Sequence, residues 1–155
     1  MAEITLKGTP IHTNGSLPAL GEKAFDFDLV DINLENKSLQ DFQGIKILYT
    51  VPSLDTGVCS ASTKNFNEIA LNNPNVTILT VSADLPFAQK RFCESQTVEK
   101  VHTLSMIRSK NFGKDYGVLI IDGPLQGLLA RSVMILDEKN QIIYSELVPE
   151  ITQEP

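Results

Sequence analysis

The spacing of apolar residues along the chain changes several times, and each change marks an element. Residues 45–51, Ile-Lys-Ile-Leu-Tyr-Thr-Val, are dense in β-branched and apolar side chains and read as a buried strand. From residue 58 to 71 the spacing becomes helical, with Val58, Ala61, Phe66, Ile69 and Ala70 on one side, and Asn72-Asn73-Pro74 stops the helix. Residues 76–82 form a second buried run. Asp84 stands where it can cap a helix through Leu85, Phe87, Ala88 and Phe92, with Pro86 tolerated in the first turn. Residues 101–106 read as a short strand and 109–116 as a short helix or turn. Two further strands, 131–136 and 141–147, are joined by Asp137-Glu138-Lys139-Asn140 as a tight hairpin. Upstream, residues 4–6 and 11–13 flank the turn signal Gly8-Thr9-Pro10 and predict a small hairpin. Phe25-Asp26-Phe27-Asp28-Leu29 alternates apolar and acidic, as a half-exposed strand does.

The order is hairpin, strand, then strand–helix–strand–helix–strand, then an antiparallel pair. Strand–helix–strand units need crossovers and favour parallel pairing. The expectation is an α/β domain with a mixed central sheet flanked by helices, of the thioredoxin-like class. With 155 residues the chain fits one domain, spanning residues 1–155.

Composition narrows the function classes. Charged residues are 21% of the chain and the net charge is −6, which gives no basic cluster of the kind nucleic acids attract. No apolar run reaches the roughly 18 residues that a membrane-crossing helix needs. The first residues, Met-Ala-Glu-Ile-Thr-Leu-Lys, lack a basic segment followed by an apolar one, so no secretory signal is read and the expected location is cytoplasmic. A functional disulfide in that compartment is transient and catalytic more often than structural.

There are two cysteines, and Cys59 has the informative surroundings. Pro52 stands seven residues before it and Thr56 three before it, between a strand-like run and a helix-like one. A helix starting near Thr56 or Gly57 puts the sulfur in its first turn, where unpaired N–H groups and the positive end of the helix dipole favour a thiolate. Thr56 can turn a hydroxyl toward the sulfur or a bound oxygen. Pro52 shields the site without adding a donor. An arginine would supply fixed charge and a fork of donors.

The pattern Pro52-x-x-x-Thr56-x-x-Cys59 resembles the active-site signature of the peroxiredoxins. The likeness is to their bacterial thiol peroxidase subfamily, an atypical two-cysteine group. It runs through Leu6-Lys7-Gly8, Ile11-His12-Thr13-Asn14-Gly15, residues 82–89, Arg91-Phe92-Cys93, Asp122-Gly123-Pro124-Leu125 and Leu129-Ala130-Arg131. The resemblance implies that Cys59 is the peroxidatic cysteine and that Thr56 and Arg131 hold the peroxide oxygens beside the shielding Pro52. It implies that Cys93 resolves the sulfenic acid as a Cys59–Cys93 disulfide within one chain. It further implies thioredoxin as reductant, peroxide as substrate and a homodimer, with no cofactor. Because a disulfide needs Cα atoms within about 7 Å and the two cysteines lie on separate predicted helices, local unwinding is expected when the bond forms. Many relatives in that family carry proline at the position of Phe25, before the Asp-Phe pair. They also continue into a C-terminal helix, which is expected to be missing from a chain stopping at Pro155.

Other residues carry less. His12 and His102 have no carboxylate or cysteine neighbours at ligand spacing and read as structural or surface residues, and no metal-site spacing occurs. Gly117, Gly123 and Gly127 fit turns and close packing rather than a nucleotide loop. Leu85, Phe87, Leu125 and Leu128 suit an apolar pocket or a subunit interface, with ordinary core packing the simpler reading. Two other functions fit a thioredoxin-like domain: a non-catalytic interaction module, and a disulfide sensor passing oxidation to another protein. The combination of Pro52, Thr56, Cys59 and Arg131 argues against the module, which does not need all four.

Overall fold

The computed structural model describes residues 1–96, 100–109 and 111–155, and the side chains of Cys59 and Ser60 lie outside the described set. Strands β1 (Glu3–Leu6) and β2 (Thr9–His12) pair as the expected N-terminal hairpin, turning at Lys7-Gly8. A seven-stranded sheet then runs in the order β4-β3-β7-β6-β5-β8-β9. Its central strands β5 (Ile45–Thr50), β6 (Val76–Ser82) and β7 (Val101–Ser105) are parallel, joined by the crossover helices α1 (Gly57–Asn72) and α2 (Pro86–Ser95). Strand β8 (Ser132–Leu136) returns antiparallel to β5, and β9 (Ile142–Leu147) pairs antiparallel to β8. The mixed sheet and the hairpin match the sequence expectation.

Strand alternation divides the core in two. Leu48, Leu79, Val81, Leu104, Met134 and Leu136 face one side, against Phe112 and Tyr116 of the α3 (Asn111–Asp115) region and the inner residues Ile4 and Ile11 of the hairpin. Ile47, Tyr49, Ile78, Val101 and Val133 face the other, under Phe66 and Ala70 of α1 and Phe92 of α2. Because both faces are covered, alternate positions on either face of the runs 45–51 and 76–82 are buried, the polar Thr50, Thr80 and Ser82 included.

Three expectations are corrected. Residues 25–28 form no strand, and β3 is only Leu29–Val30, paired with β4 (Asn36–Lys37) and β7. The Asp26 carboxylate takes the N–H groups of Phe27 and Leu39, so local side-chain bonds replace a ladder there. Phe25 is exposed, stacked edge-on against Tyr116, whose hydroxyl donates to the Phe25 carbonyl. Asp84 does not cap α2, because the capping position is Leu85 and Pro86 is the first helical residue. Leu85 and Phe87 are not core residues, being 56% and 70% exposed.

The hairpin is tied to the body at two places. His12 donates its N–H to Asp122 Oδ1 (2.7 Å), and its Nδ1 lies 2.7 Å from Asp122 Oδ2. Gly123 follows at φ +71°, where a Cβ would run into the Ile11 side chain, so the glycine permits both the turn and the close approach. On the other flank, β1 Thr5 exchanges backbone bonds with the carbonyl of Pro149 and the N–H of Ile151.

The pair His12–Asp122 makes stability pH-dependent. Its hydrogen bond raises His12 above its ordinary 6.5, with Glu3 adding to the effect, and lowers Asp122 below its ordinary 3.8. The histidine's contribution is complete below 6.5 and fades as pH rises through its folded value. The aspartate's contribution is present above 3.8 and fades as pH falls through its folded value. Urea midpoints of the wild type should exceed those of His12→Ala most between these two values. Parallel pH profiles for the two proteins would exclude the pair as their cause.

Candidate functional site

Strand β5 delivers the chain to the site. Beyond Thr50, Val51 extends the parallel ladder by donating to the Val81 carbonyl (3.0 Å). Pro52 then ends the strand, since it has no N–H to offer the next rung. Residues 53–56 turn into α1, which begins at Gly57, so the backbone of Cys59 lies in the first helical turn as its sequence setting predicts. The Cys59 side chain itself lies outside the described set.

Asp84 holds this turn. Its Oδ1 accepts from the Ser53 hydroxyl (2.7 Å), and its Oδ2 accepts from the Leu54 N–H (2.8 Å) and the Ser82 hydroxyl (2.8 Å). Ser53 Oγ also accepts from the Asp55 N–H, and the Thr56 hydroxyl donates to the Ser53 carbonyl. The acid that resembles a helix cap is thus spent on fixing the approach to α1. Behind it, the buried Gln89 of α2 donates to Ser82 Oγ and to the Leu104 carbonyl.

Arg131 enters from the opposite side, immediately before β8. It is 2% exposed. Its Nε donates to the Ile151 carbonyl (3.0 Å) and its Nη1 to the Tyr49 hydroxyl (3.0 Å). Its own carbonyl accepts from the Val148 N–H. Next to it, the Thr50 hydroxyl donates to the Ala130 carbonyl and meets Ser132 Oγ, which seals the β5–β8 junction. Register places Tyr49 opposite Val133 and Thr50 opposite Ser132, so Arg131 sits level with the end of β5, where Pro52 begins the loop.

Pro52, Thr56, Gly57 and Val58 line one side of a cavity of about 300 Å³, and Arg131 lines it as well. Leu125, Leu128 and Ile151 form an apolar wall. Sequence reading named Pro52, Thr56 and Arg131, and the fold brings all three to this cavity. It missed Tyr49 and Asp84, which touch Arg131 and the loop rather than the cavity. Leu125 and Leu128 line the cavity, whereas Leu85 and Phe87 do not.

Cys93 lies elsewhere, on α2. It is half-buried against the α1–α2 face of the sheet, with its sulfur 3.7 Å from Thr103 Oγ1 of β7, and it does not line the cavity. Burial raises its thiol above the ordinary value of 9.0, while the Thr103 hydroxyl works in the opposite direction. Among the described residues, no cluster of three or more histidine, cysteine, aspartate or glutamate side chains could hold a metal ion, and no helix is long and apolar enough to cross a membrane.

The Asp84 contacts predict a measurable cost. Asp84→Ala strands the Leu54 N–H and two hydroxyls, and should lower unfolding free energy by about 2 kcal/mol. The denaturant midpoint reads this directly. Ser53→Ala should cost less, and less than additively on top of Asp84→Ala, because the two share a bond.

Comparison with known proteins bears on this geometry. The Redoxin family model matches residues 19–155. A thiol peroxidase of Leptospira interrogans is 48% identical over 158 residues, covering 100% of this chain and 92% of that protein. The crystal structure of a peroxiredoxin-like protein from Aquifex aeolicus superposes with a TM-score of 0.92 at 42% identity, covering 100% of this chain and 91% of the other. A thiol peroxidase from Chromobacterium violaceum shares the fold, with a TM-score of 0.93 at 22% identity over 99% of this chain and 89% of its own. A cavity between a helix N-terminus and a buried arginine, on a thioredoxin-like sheet with these relatives, places the chain in the redoxin family, among the thiol peroxidases of the peroxiredoxin group.

Proposed function

We propose that the chain reduces hydrogen peroxide and organic hydroperoxides with Cys59 as the attacking thiolate. The observation that carries this reading is the cavity shared by Pro52, Thr56, the first turn of α1 and the buried Arg131. The helix N-terminus and the guanidinium both favour negative charge, so a thiolate or a peroxide oxygen is stabilised there. The apolar wall of Leu125, Leu128 and Ile151 suits the carbon end of an organic hydroperoxide.

The Cys59 sulfur attacks one peroxide oxygen and the O–O bond breaks. The sulfur becomes sulfenic acid, and the departing oxygen leaves as hydroxide or alkoxide, taking a proton to give water or alcohol. Thr56 and Arg131 serve as donors to those oxygens. The Cys93 thiol then attacks the sulfenic sulfur, releasing water and forming a disulfide, which keeps the sulfur from further oxidation. The two thiols of reduced thioredoxin return two electrons and complete the cycle. The protein acts as a cytoplasmic homodimer in this reading, which rests on the family resemblance.

Cys93 begins this cycle on a short helix held by tertiary contacts, with Gln89 and Phe92 buried. Helix α2 is 10 residues long and its N-cap, Leu85, makes no side-chain hydrogen bond. Short uncapped helices depend on tertiary packing, so α2 is the element we expect to unwind as the disulfide forms.

Peroxide-dependent NADPH oxidation with thioredoxin and its reductase tests the reading. Cys59→Ser should abolish turnover. Cys93→Ser should consume one equivalent of peroxide and then stop. Full activity in Cys59→Ser would refute the assignment. The raised Cys93 value adds a second expectation. In Cys59→Ser, alkylation of Cys93 should stay slow at neutral pH and accelerate only as pH climbs past 9.0. Thr103→Val, which removes the one neighbour acting against burial, should shift that rise further upward.

A further inference from the structure

We propose that Glu150 is a positioning residue for Arg131, holding the guanidinium at the cavity through the Ile151 carbonyl. The proposal deepens the peroxidase reading above and rests on it for its meaning in catalysis. Glu150 touches neither the cavity nor Arg131. Its influence passes through the backbone turn it organises.

The two carboxylate oxygens face in different directions. Oε1 accepts from the Gly8 N–H (2.8 Å) and the Thr5 hydroxyl (3.0 Å), both in the β1–β2 hairpin. Oε2 accepts from the N–H (3.0 Å) and hydroxyl (2.7 Å) of Thr152, two residues further along its own chain. One carboxylate therefore closes the turn at residues 150–152 and fastens that turn to the hairpin. The Thr152 bonds, then the Gly8 bond, hold the Glu150 carboxyl down at about 2, so it stays ionised through the neutral range.

The fastened turn contains the acceptor that Arg131 needs. The Ile151 N–H donates to the Thr5 carbonyl (2.9 Å), and the Thr5 N–H donates to the Pro149 carbonyl (2.7 Å). Between these ties, the Ile151 carbonyl receives Arg131 Nε at 3.0 Å. Nε is where the planar guanidinium joins its flexible stem, so that carbonyl, together with the Tyr49 hydroxyl at Nη1, sets the plane of the fork. Ile151 and Thr152 also line the cavity, so the same turn sets one of its walls.

A carboxylate suits this place because all four partners are donors and it is acceptor-only. Glutamine keeps the size but replaces one oxygen by an NH₂ group. Whichever way the amide is turned, that NH₂ meets either the Thr152 donors or the Gly8 and Thr5 donors. One arm of the clamp must open.

The test compares reduced wild-type protein with Glu150→Gln, Arg131→Lys and the double variant, measuring the single-turnover rate with hydrogen peroxide by stopped flow. Misplacing a transition-state donor should slow Glu150→Gln roughly tenfold. The double variant should be no slower than Arg131→Lys alone, because the clamp has nothing left to position. Full additivity, or a wild-type rate in Glu150→Gln, would overturn the proposal. A second readout does not depend on catalysis: the Arg131 Nε–H resonance in a nitrogen-15 spectrum should shift or broaden in Glu150→Gln, and an unchanged signal overturns the clamp. If the wild type consumes no peroxide, the peroxidase reading fails while this signal still decides the clamp. Should Glu150→Gln fail to fold, Thr5→Val removes one of the four donors and the same resonance is read.

Discussion

The site depends on keeping one guanidinium out of water. At 2% exposure Arg131 has given up its hydration, and a buried charge is tolerated only when its donors find acceptors. Two of those acceptors are neutral: the Tyr49 phenol and the Ile151 carbonyl. Neutral acceptors satisfy hydrogen bonds without cancelling the charge they hold in place. Glu150 acts one step removed from the guanidinium, on the turn that carries the acceptor carbonyl.

This arrangement explains the order of the sheet. Tyr49 comes from β5, Arg131 from the approach to β8, and Ile151 from beyond β9. They meet because β8 pairs with β5 on the side away from β6, which brings a late strand back beside the first crossover. The helix that starts at Gly57 leaves the end of β5 on the same level. A thioredoxin-like sheet thus places a helix N-terminus and a returning strand around one opening.

Much of this was legible from local pattern. The dense apolar runs gave β5 and β6 because both sheet faces are covered, and the change of period at Val58 located α1. Pro52 and Thr56 stand at breaks in pattern around Cys59, the end of a strand and the start of a helix, whereas Arg131 is named through the family resemblance. The supporting partners show no such break. Tyr49 looks like one more core residue of β5, and its bond to Arg131 spans 82 positions. Asp84 resembles a helix cap because it precedes Leu85-Pro86, yet its carboxylate reaches back 31 positions to Ser53. Glu150 sits in an undistinguished acidic stretch and is bound to Gly8 across 142 positions. Periodicity reports what a residue does for its own element, and these bonds join elements distant in sequence.

The two cysteines stand at contrasting places in the fold, and the contrast follows from where each sits on its helix. Cys59 belongs to the first turn of α1, where the field of the helix favours the anion. Cys93 lies on α2 pressed toward β7, where burial favours the neutral thiol and Thr103 is its polar neighbour. Within the proposed cycle this is a useful asymmetry. A resolving sulfur that ionised readily would itself be open to oxidation, whereas a buried thiol waits until its helix loosens. In that cycle attack on the sulfenic acid follows the opening of α2, so the packing of that short helix bears on how long the oxidised sulfur persists.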